Sequence, residues 1–308
     1  MRTGDLFAGW GGFSEGAEAA GATAVFGANH WKLACDVFRM NHPKADVYEQ
    51  ALGEADFSIF PEIDIMVAGP SCKGFTRARG KERSWHNKLR NTMWAVINGL
   101  EVLKPTVVII ENVPEVQSWQ LYPAFMLALE LLGYKTEVHL LDAADYGVPQ
   151  NRVRWFCIGV MSQYTLGIEK DLEKKKLPKI PARDHIDWEY SRWSPIQKPG
   201  RSLKILSQIK QARKDLKTDR FLLPYYGSGS GLTGRSVDRP IGTIVAHDIW
   251  AVVDGDRMRM LQPHEASLLM GFPDNFKRAG TRREQMRGFG NAVCPPVASA
   301  LFESIQGA

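Results

Sequence analysis

Ile63-Asp64-Ile65-Met66-Val67-Ala68-Gly69-Pro70-Ser71-Cys72 is an apolar run that stops in a Gly-Pro turn and a thiol. A second run, Thr106-Val107-Val108-Ile109-Ile110, stops in Glu111-Asn112-Val113-Pro114. Short apolar runs rich in β-branched residues read as strands buried on both faces, the pattern of a parallel sheet between helices. Parallel neighbours bring their carboxyl ends to one edge, where open α/β sheets hold their ligands. The two runs therefore predict a thiol and a carboxylic acid presented together. A thiolate beside a carboxyl proton donor suits covalent attack on an electron-poor ring that must be protonated as it is attacked.

Upstream, Thr3-Gly4-Asp5-Leu6-Phe7-Ala8-Gly9-Trp10-Gly11-Gly12-Phe13-Ser14 leads into the helical run Glu15-Gly16-Ala17-Glu18-Ala19-Ala20. Strand, glycine turn and helix start make a cradle that backbone can bring close to a ligand. Gly9, Gly11 and Gly12 crowd too closely for a clean Gly-x-Gly-x-x-Gly pattern, so a nucleotide cradle and an ordinary tight turn stay equally open. Val25-Phe26-Gly27-Ala28-Asn29-His30-Trp31 reads as a second strand ending in a polar pair and an indole. Trp31 suits either a purine stack or a core position.

Taken in order, the motifs are Asp5-Leu6-Phe7-Ala8-Gly9-x-Gly11-Gly12, Ser71-Cys72, Glu111-Asn112-Val113, Gln150-Asn151-Arg152-Val153-Arg154, Arg239-Pro240-x-x-Thr243 and Gly290-Asn291-Ala292-Val293. With Arg259 to Glu265 and Met270-Gly271-Phe272-Pro273, this series resembles the DNA (cytosine-5)-methyltransferase family over roughly residues 3–160 and 238–300. The resemblance implies an α/β fold: a Rossmann-like S-adenosylmethionine-dependent methyltransferase sheet, largely parallel and seven-stranded, with a small inserted target-recognition domain. Residues 1–160 plus 239–308 would form the catalytic and cofactor-binding domain, and residues 161–238 the target-recognition domain. The implied reaction transfers a methyl group from S-adenosylmethionine to carbon 5 of a flipped-out cytosine in double-stranded DNA through a covalent cysteine adduct. Carried over by motif, Cys72 would be the nucleophile and Glu111 the acid at ring N3; Arg154, with Arg152 close by, would sit over the target base and help hold the cysteine reactive, and Asn112 would support the base pocket. Phe7, Gly9, Gly11, Gly12, Trp31, Asn291 and Val293 would form the cofactor site.

Four positions depart from the commonest family pattern. Ser71 stands for a proline, Lys73 for a glutamine, His30 for the acid that grips the ribose, and Gln50 or Ala51 near an aspartate that contacts the adenine. Lys73 suits a phosphate contact, a thiolate-favouring charge or an anionic group on substrate or cofactor. Alternatives to the active enzyme are a DNA-binding homologue without turnover, the same chemistry on RNA, and a modified cofactor.

The basic stretch Lys73, Arg77, Arg79, Lys81, Arg83, Lys88 and Arg90, against the one acid Glu82, reads either as a solvated face or as a loop closing over DNA. Gly74 and Gly80 would let it bend, and Trp85 has no role legible in sequence. Of 39 Lys and Arg and 34 Asp and Glu in the 308 residues, residues 161–238 hold 16 and 9. The chain's positive excess therefore sits in that segment, which favours phosphate contacts. Its aromatics Trp188, Tyr190, Trp193, Phe221, Tyr225 and Tyr226, with Gly227-Ser228-Gly229-Ser230-Gly231, suggest a small irregular module.

A composition of 44% hydrophobic and 24% charged residues excludes disorder as the default, and no apolar run reaches membrane-spanning length. Motif chemistry from the first dozen residues argues against a cleavable leader. Cys35, Cys72, Cys157 and Cys294 lack paired metal spacing, so no metal is expected, and a free catalytic thiol suits the cytoplasm. A monomer is expected, and the resemblance leaves room for a cognate restriction endonuclease acting separately.

Overall fold

The structure, a computed structural model, describes residues 1–75, 89–163, 167–225 and 234–306. The residues Arg77 to Lys88, including Gly80 and Trp85, and the Tyr226 to Gly231 stretch lie outside the described residues.

Seven strands form the main sheet: β1 (Arg2–Leu6), β2 (Thr23–Asn29), β3 (Asp46–Glu49), β4 (Ile65–Ala68), β5 (Val107–Asn112), β6 (Tyr134–Asp142) and β7 (Val153–Met161). Their order is β3-β2-β1-β4-β5-β7-β6. The five strands from β3 to β5 are parallel, and β7 runs antiparallel to both its neighbours. The two apolar runs are therefore adjacent strands, in register from Ile65 opposite Val107 to Ala68 opposite Ile110.

Alternation along each strand divides the core. Ile65, Val67 and Ile109 face one layer with Phe13, Phe156 and Leu301, while Met66, Ala68 and Ile110 face another with Leu6, Phe26 and Trp155. Every residue of β4 and β5 is buried, which explains why neither run shows polar alternation.

The chain end returns to the chain start. The helix Pro295–Gln306 packs along the helix Gly12–Ala19, so closely that a Cβ on Gly16 would collide with the Pro295 carbonyl oxygen. Sequence predicts one closing helix from Ala292 to Ile305, interrupted by Pro295-Pro296. Instead the prolines open that helix, where their missing N–H groups cost nothing, and a separate helix, Arg282–Asn291, precedes it.

A second, antiparallel sheet contains β8 (Ser194–Pro195), β9 (Arg220–Pro224), β10 (Arg235–Ser236), β11 (Trp250–Asp254) and β12 (Arg257–Met260), in the order β10-β9-β11-β12-β8. The helix Leu203–Leu216 contributes Ile205 and Ile209 to a core with Phe221, Leu223, Ala251 and Val253. The expected irregular module is thus regular at its centre. Its middle strand β11 comes from beyond residue 238, a long-range pairing that no local pattern signals. Among the described residues no helix is long and apolar enough to cross a membrane.

Candidate active site

β4 ends at Ala68, and the turn Gly69-Pro70-Ser71 delivers Cys72 to the start of one 3-10 turn, Cys72–Gly74. Two bonds pin that turn. The Ser71 amide donates to Thr92 Oγ1 at 3.1 Å, and Asn112 Nδ2 donates to the Pro70 carbonyl at 3.2 Å. Asn112 also accepts from the Val113 amide at 2.9 Å, so its side chain is spent on the two strand ends.

Glu111 is buried near the end of β5 on the opposite face from Asn112. In the register, Glu111 faces Phe156 of β7, which puts Arg154 on its diagonal. Arg154 Nε lies 3.1 Å from Glu111 Oε1. Burial pushes the Glu111 carboxyl up from its ordinary value, and the charges of Arg154 and then Arg152 offset part of that rise. Burial likewise pushes the Cys72 thiol up, with the Glu111 charge adding to it and Arg154 and Arg152 pulling it down. A buried carboxyl whose pKa is raised, beside a partly exposed thiol, sets a proton-donating group next to a latent nucleophile.

These signs give a direct expectation for the free protein. Removing the negative charge in Glu111→Gln lowers the thiol pKa, and removing the cation in Arg154→Ala raises it. Iodoacetamide alkylation of Cys72, followed by peptide mass spectrometry across pH, reads both shifts. The other three cysteines are buried and should react slowly. Identical profiles in the two variants would mean that neither charge acts on the thiol.

Arg152 follows a different logic. It is buried, its Nη1 donates to the Ile244 carbonyl at 2.9 Å, and its Nη2 donates to those of Gly290 and Ala292 at 3.0 and 2.9 Å. It lines the cavity, but its Nη donors tie β7 to the returning end of the chain.

The cavity measures about 230 Å³. Its lining brings Cys72, Glu111, Arg152 and Arg154 together with Phe7, Gly9, Asn29, His30, Trp31 and Asn291. Phe7 and Gly9 both hold left-handed backbone, with φ of 61° and 55°. That conformation is uncommon for a phenylalanine and favours a functional turn over an ordinary one. Asp5 sits buried beneath the turn and accepts the Ser14 hydroxyl at 2.8 Å; burial raises its pKa to about 7.

The other three expected cofactor residues do not line this cavity. Gly11 lies against His42, and a Cβ on Gly12 would collide with the Val293 carbonyl oxygen. Both therefore serve close packing. Val293 lines a smaller cavity behind Glu111, with Cys294. His30 and Lys73 are exposed at the main cavity, whereas Gln50 is not among its lining residues. Arg287, which no sequence motif singled out, lies with its guanidinium 4.4 Å over the Trp31 ring. Only its nearness to Gly290-Asn291 hinted at the site.

S-adenosylmethionine fits these walls. The adenosine part needs aromatic surface and close backbone, and Phe7, Trp31, Gly9, Gly69, Gly288 and Gly290 supply them. An ideal Cβ on Gly69 meets no atom within 4 Å, so that glycine leaves open space at the wall.

Comparison with known proteins follows the same line. Residues 1–307 match the family described as C-5 cytosine-specific DNA methylase. The chain is similar to the Type II methyltransferase M1.HphI of Haemophilus parahaemolyticus, 28% identical over 98% of this chain and 85% of that protein. It is similar to the Type II methyltransferase M.NlaX of Neisseria lactamica, 26% identical over 99% of this chain and 96% of that protein. Its fold is shared with the crystal structure of the S. pombe Dnmt2 methyltransferase, at a TM-score of 0.72, 17% identity, and coverage of 98% of this chain and 97% of that one.

Proposed function

The chain belongs to the C-5 cytosine-specific DNA methylase family and is a DNA (cytosine-5-)-methyltransferase; on that premise we propose that it methylates a flipped-out cytosine in double-stranded DNA through a covalent Cys72 adduct. The observation that carries this reading is the convergence of a partly exposed thiol, a buried carboxyl and Arg154 on one cavity. Cytosine carbon 6 is unreactive while the ring is stacked and paired, so the base must leave the duplex to reach the thiol.

In the proposed sequence Cys72 gives up its thiol proton to water, and Sγ as the thiolate forms a bond to carbon 6. The electron pair of the carbon 5–carbon 6 double bond moves into the ring as N3 takes the proton of Glu111. Carbon 5 thereby becomes nucleophilic. When bound, S-adenosylmethionine would supply the electrophilic methyl group, its sulfur keeping the electron pair of the broken bond as the thioether S-adenosylhomocysteine. A base then takes the carbon 5 proton, the Sγ–carbon 6 bond breaks, and the N3 proton returns to Glu111. Arg154 orients the Glu111 carboxyl and lowers the cost of the thiolate. Arg152 acts by positioning, since it joins β7 to the Gly290–Ala292 segment that closes the cavity.

Phe7, Gly9, Trp31 and Asn291 are proposed to hold the cofactor. Gly11, Gly12 and Val293 would support it by fixing the turn and the chain end that flank it. The division into residues 1–160 plus 239–308 and residues 161–238 is proposed as catalytic and target-recognition parts. A cognate endonuclease acting separately, a monomeric state and a cytoplasmic setting belong to the same reading.

The test is mass spectrometry of nucleosides from duplex DNA incubated with the protein and S-adenosylmethionine. New 5-methylcytosine is the expected product; no modified cytosine on DNA of varied sequence would sink the proposal. The basic segment has its own expected outcome. Lys204, Lys210 and Lys214 are exposed on the helix Leu203–Leu216. Changing all three to glutamine should flatten the slope of log affinity against log salt by roughly 0.9 for each phosphate no longer neutralised. An unchanged slope would put the DNA elsewhere.

A further inference from the structure

Arg287 projects into the cavity from a backbone held on three sides. Thr281 and Glu284 cap the start of its helix reciprocally, with the Thr281 hydroxyl 2.7 Å from Glu284 Oε2. Gly288 sits so close to Trp10 that a Cβ there would collide with the indole. Arg152 grips the carbonyls of Gly290 and Ala292. The guanidinium itself lies 4.4 Å over Trp31 and forms no hydrogen bond or salt bridge with any described residue. A planar cation with open donors, stacked on an aromatic face and turned to a cavity, is preorganised for a ligand.

The strand order spreads the cavity lining, with Asn29, His30 and Trp31 at the end of β2 and Cys72, Glu111 and Arg154 on or after β4, β5 and β7, across β1. Cys72, Glu111 and Arg154 occupy the part where the reacting ring must lie, and a methyl donor must bring its sulfonium there. The adenosine then falls towards Asn29, His30, Trp31 and Arg287. One face of the indole is already covered by the guanidinium, so a purine cannot stack on that face. Glu111 is the sole carboxylate among the described residues lining this cavity, and it is paired with Arg154. The adenosine part of the wall therefore offers donors and aromatic surface in place of an acid.

We propose that Arg287 binds the adenosine: its outer face stacks on the purine to give an indole–guanidinium–purine sandwich, and its N–H edge donates to ring nitrogen or ribose oxygen. This rests on the S-adenosylmethionine reading above. Its test is calorimetry on the full chain with two probes, S-adenosylhomocysteine and 5′-methylthioadenosine, which share the adenosine and differ in the amino-acid tail. Arg287→Ala should weaken both by about tenfold. Arg287→Lys should restore little of that loss, because an ammonium has no planar face. KM for S-adenosylmethionine should rise in parallel while kcat at saturation holds. Unchanged affinity in Arg287→Ala overturns the proposal. So does a loss confined to S-adenosylhomocysteine, which would assign Arg287 to the amino-acid carboxylate. If the unaltered protein binds neither probe, the cofactor reading itself fails, and the Arg287 proposal with it.

Discussion

Cys72→Ser is expected to abolish methyl transfer, by a factor on the order of 10⁴ or more, while leaving affinity for S-adenosylhomocysteine within about twofold. The change replaces one atom and keeps the shape of the Cys72–Gly74 turn, whose pins at Thr92 and Asn112 do not involve the thiol. What changes is the nucleophile. A serine hydroxyl is far less acidic than a thiol, and Glu111 beside it is an acid in the proposed cycle, not a base that would activate it. Calorimetry and single-turnover transfer on the same preparation separate the two quantities. Retained transfer would remove the covalent mechanism. Lost cofactor binding would mean that Cys72 shapes the pocket instead of attacking the ring.

Glu265→Ala is expected to cost about 3–5 kcal/mol of stability, because it strands a buried guanidinium. Arg259 at the end of β12 and Glu265 in the helix Pro263–Leu269 are both buried, with Nη1 and Nη2 at 2.7 and 2.5 Å from the two carboxylate oxygens. The same carboxylate accepts the Gln262 amide at 2.7 Å and the Asp187 amide at 2.8 Å. Arg259 also donates to the Asp187 carbonyl at 2.7 Å. One carboxylate thus joins the second sheet, the helix Pro263–Leu269 and the segment leading to β8. Chemical denaturation followed by tryptophan fluorescence measures the loss, since Trp193 lies 4.7 Å from Arg259. Replacing the pair together, Arg259→Met with Glu265→Leu, should be markedly milder, because no lone charge is left behind. A single-variant loss below about 1 kcal/mol would show the pair to be dispensable.

The strands that decide the fold were legible because each carries its own signal. Ile63 to Ala68 and Thr106 to Ile110 are short, apolar and bounded by turn residues, and they became adjacent parallel strands with Cys72 and Glu111 at one edge. The glycine turn was legible as a turn, but its strain was not: the positive φ at Phe7 is a property of the folded backbone. Arg152 and Arg154 looked equivalent in Gln150-Asn151-Arg152-Val153-Arg154. The structure separates them, one bonded to carbonyls as far as 140 positions away and the other beside Glu111. Nothing in their spacing encodes which acceptors each will meet.

By itself, the sequence determined the strand–turn units, the order of motifs and therefore the family, because periodicity and turn chemistry act over a few residues. Only the tertiary structure decided that Arg287 covers Trp31, that Gly12 packs on Val293 instead of lining the cavity, and that β11 completes the second sheet. These contacts join residues far apart in the chain. They follow from which faces pack once the core has formed, and an isolated arginine or glycine carries no periodic pattern to announce them.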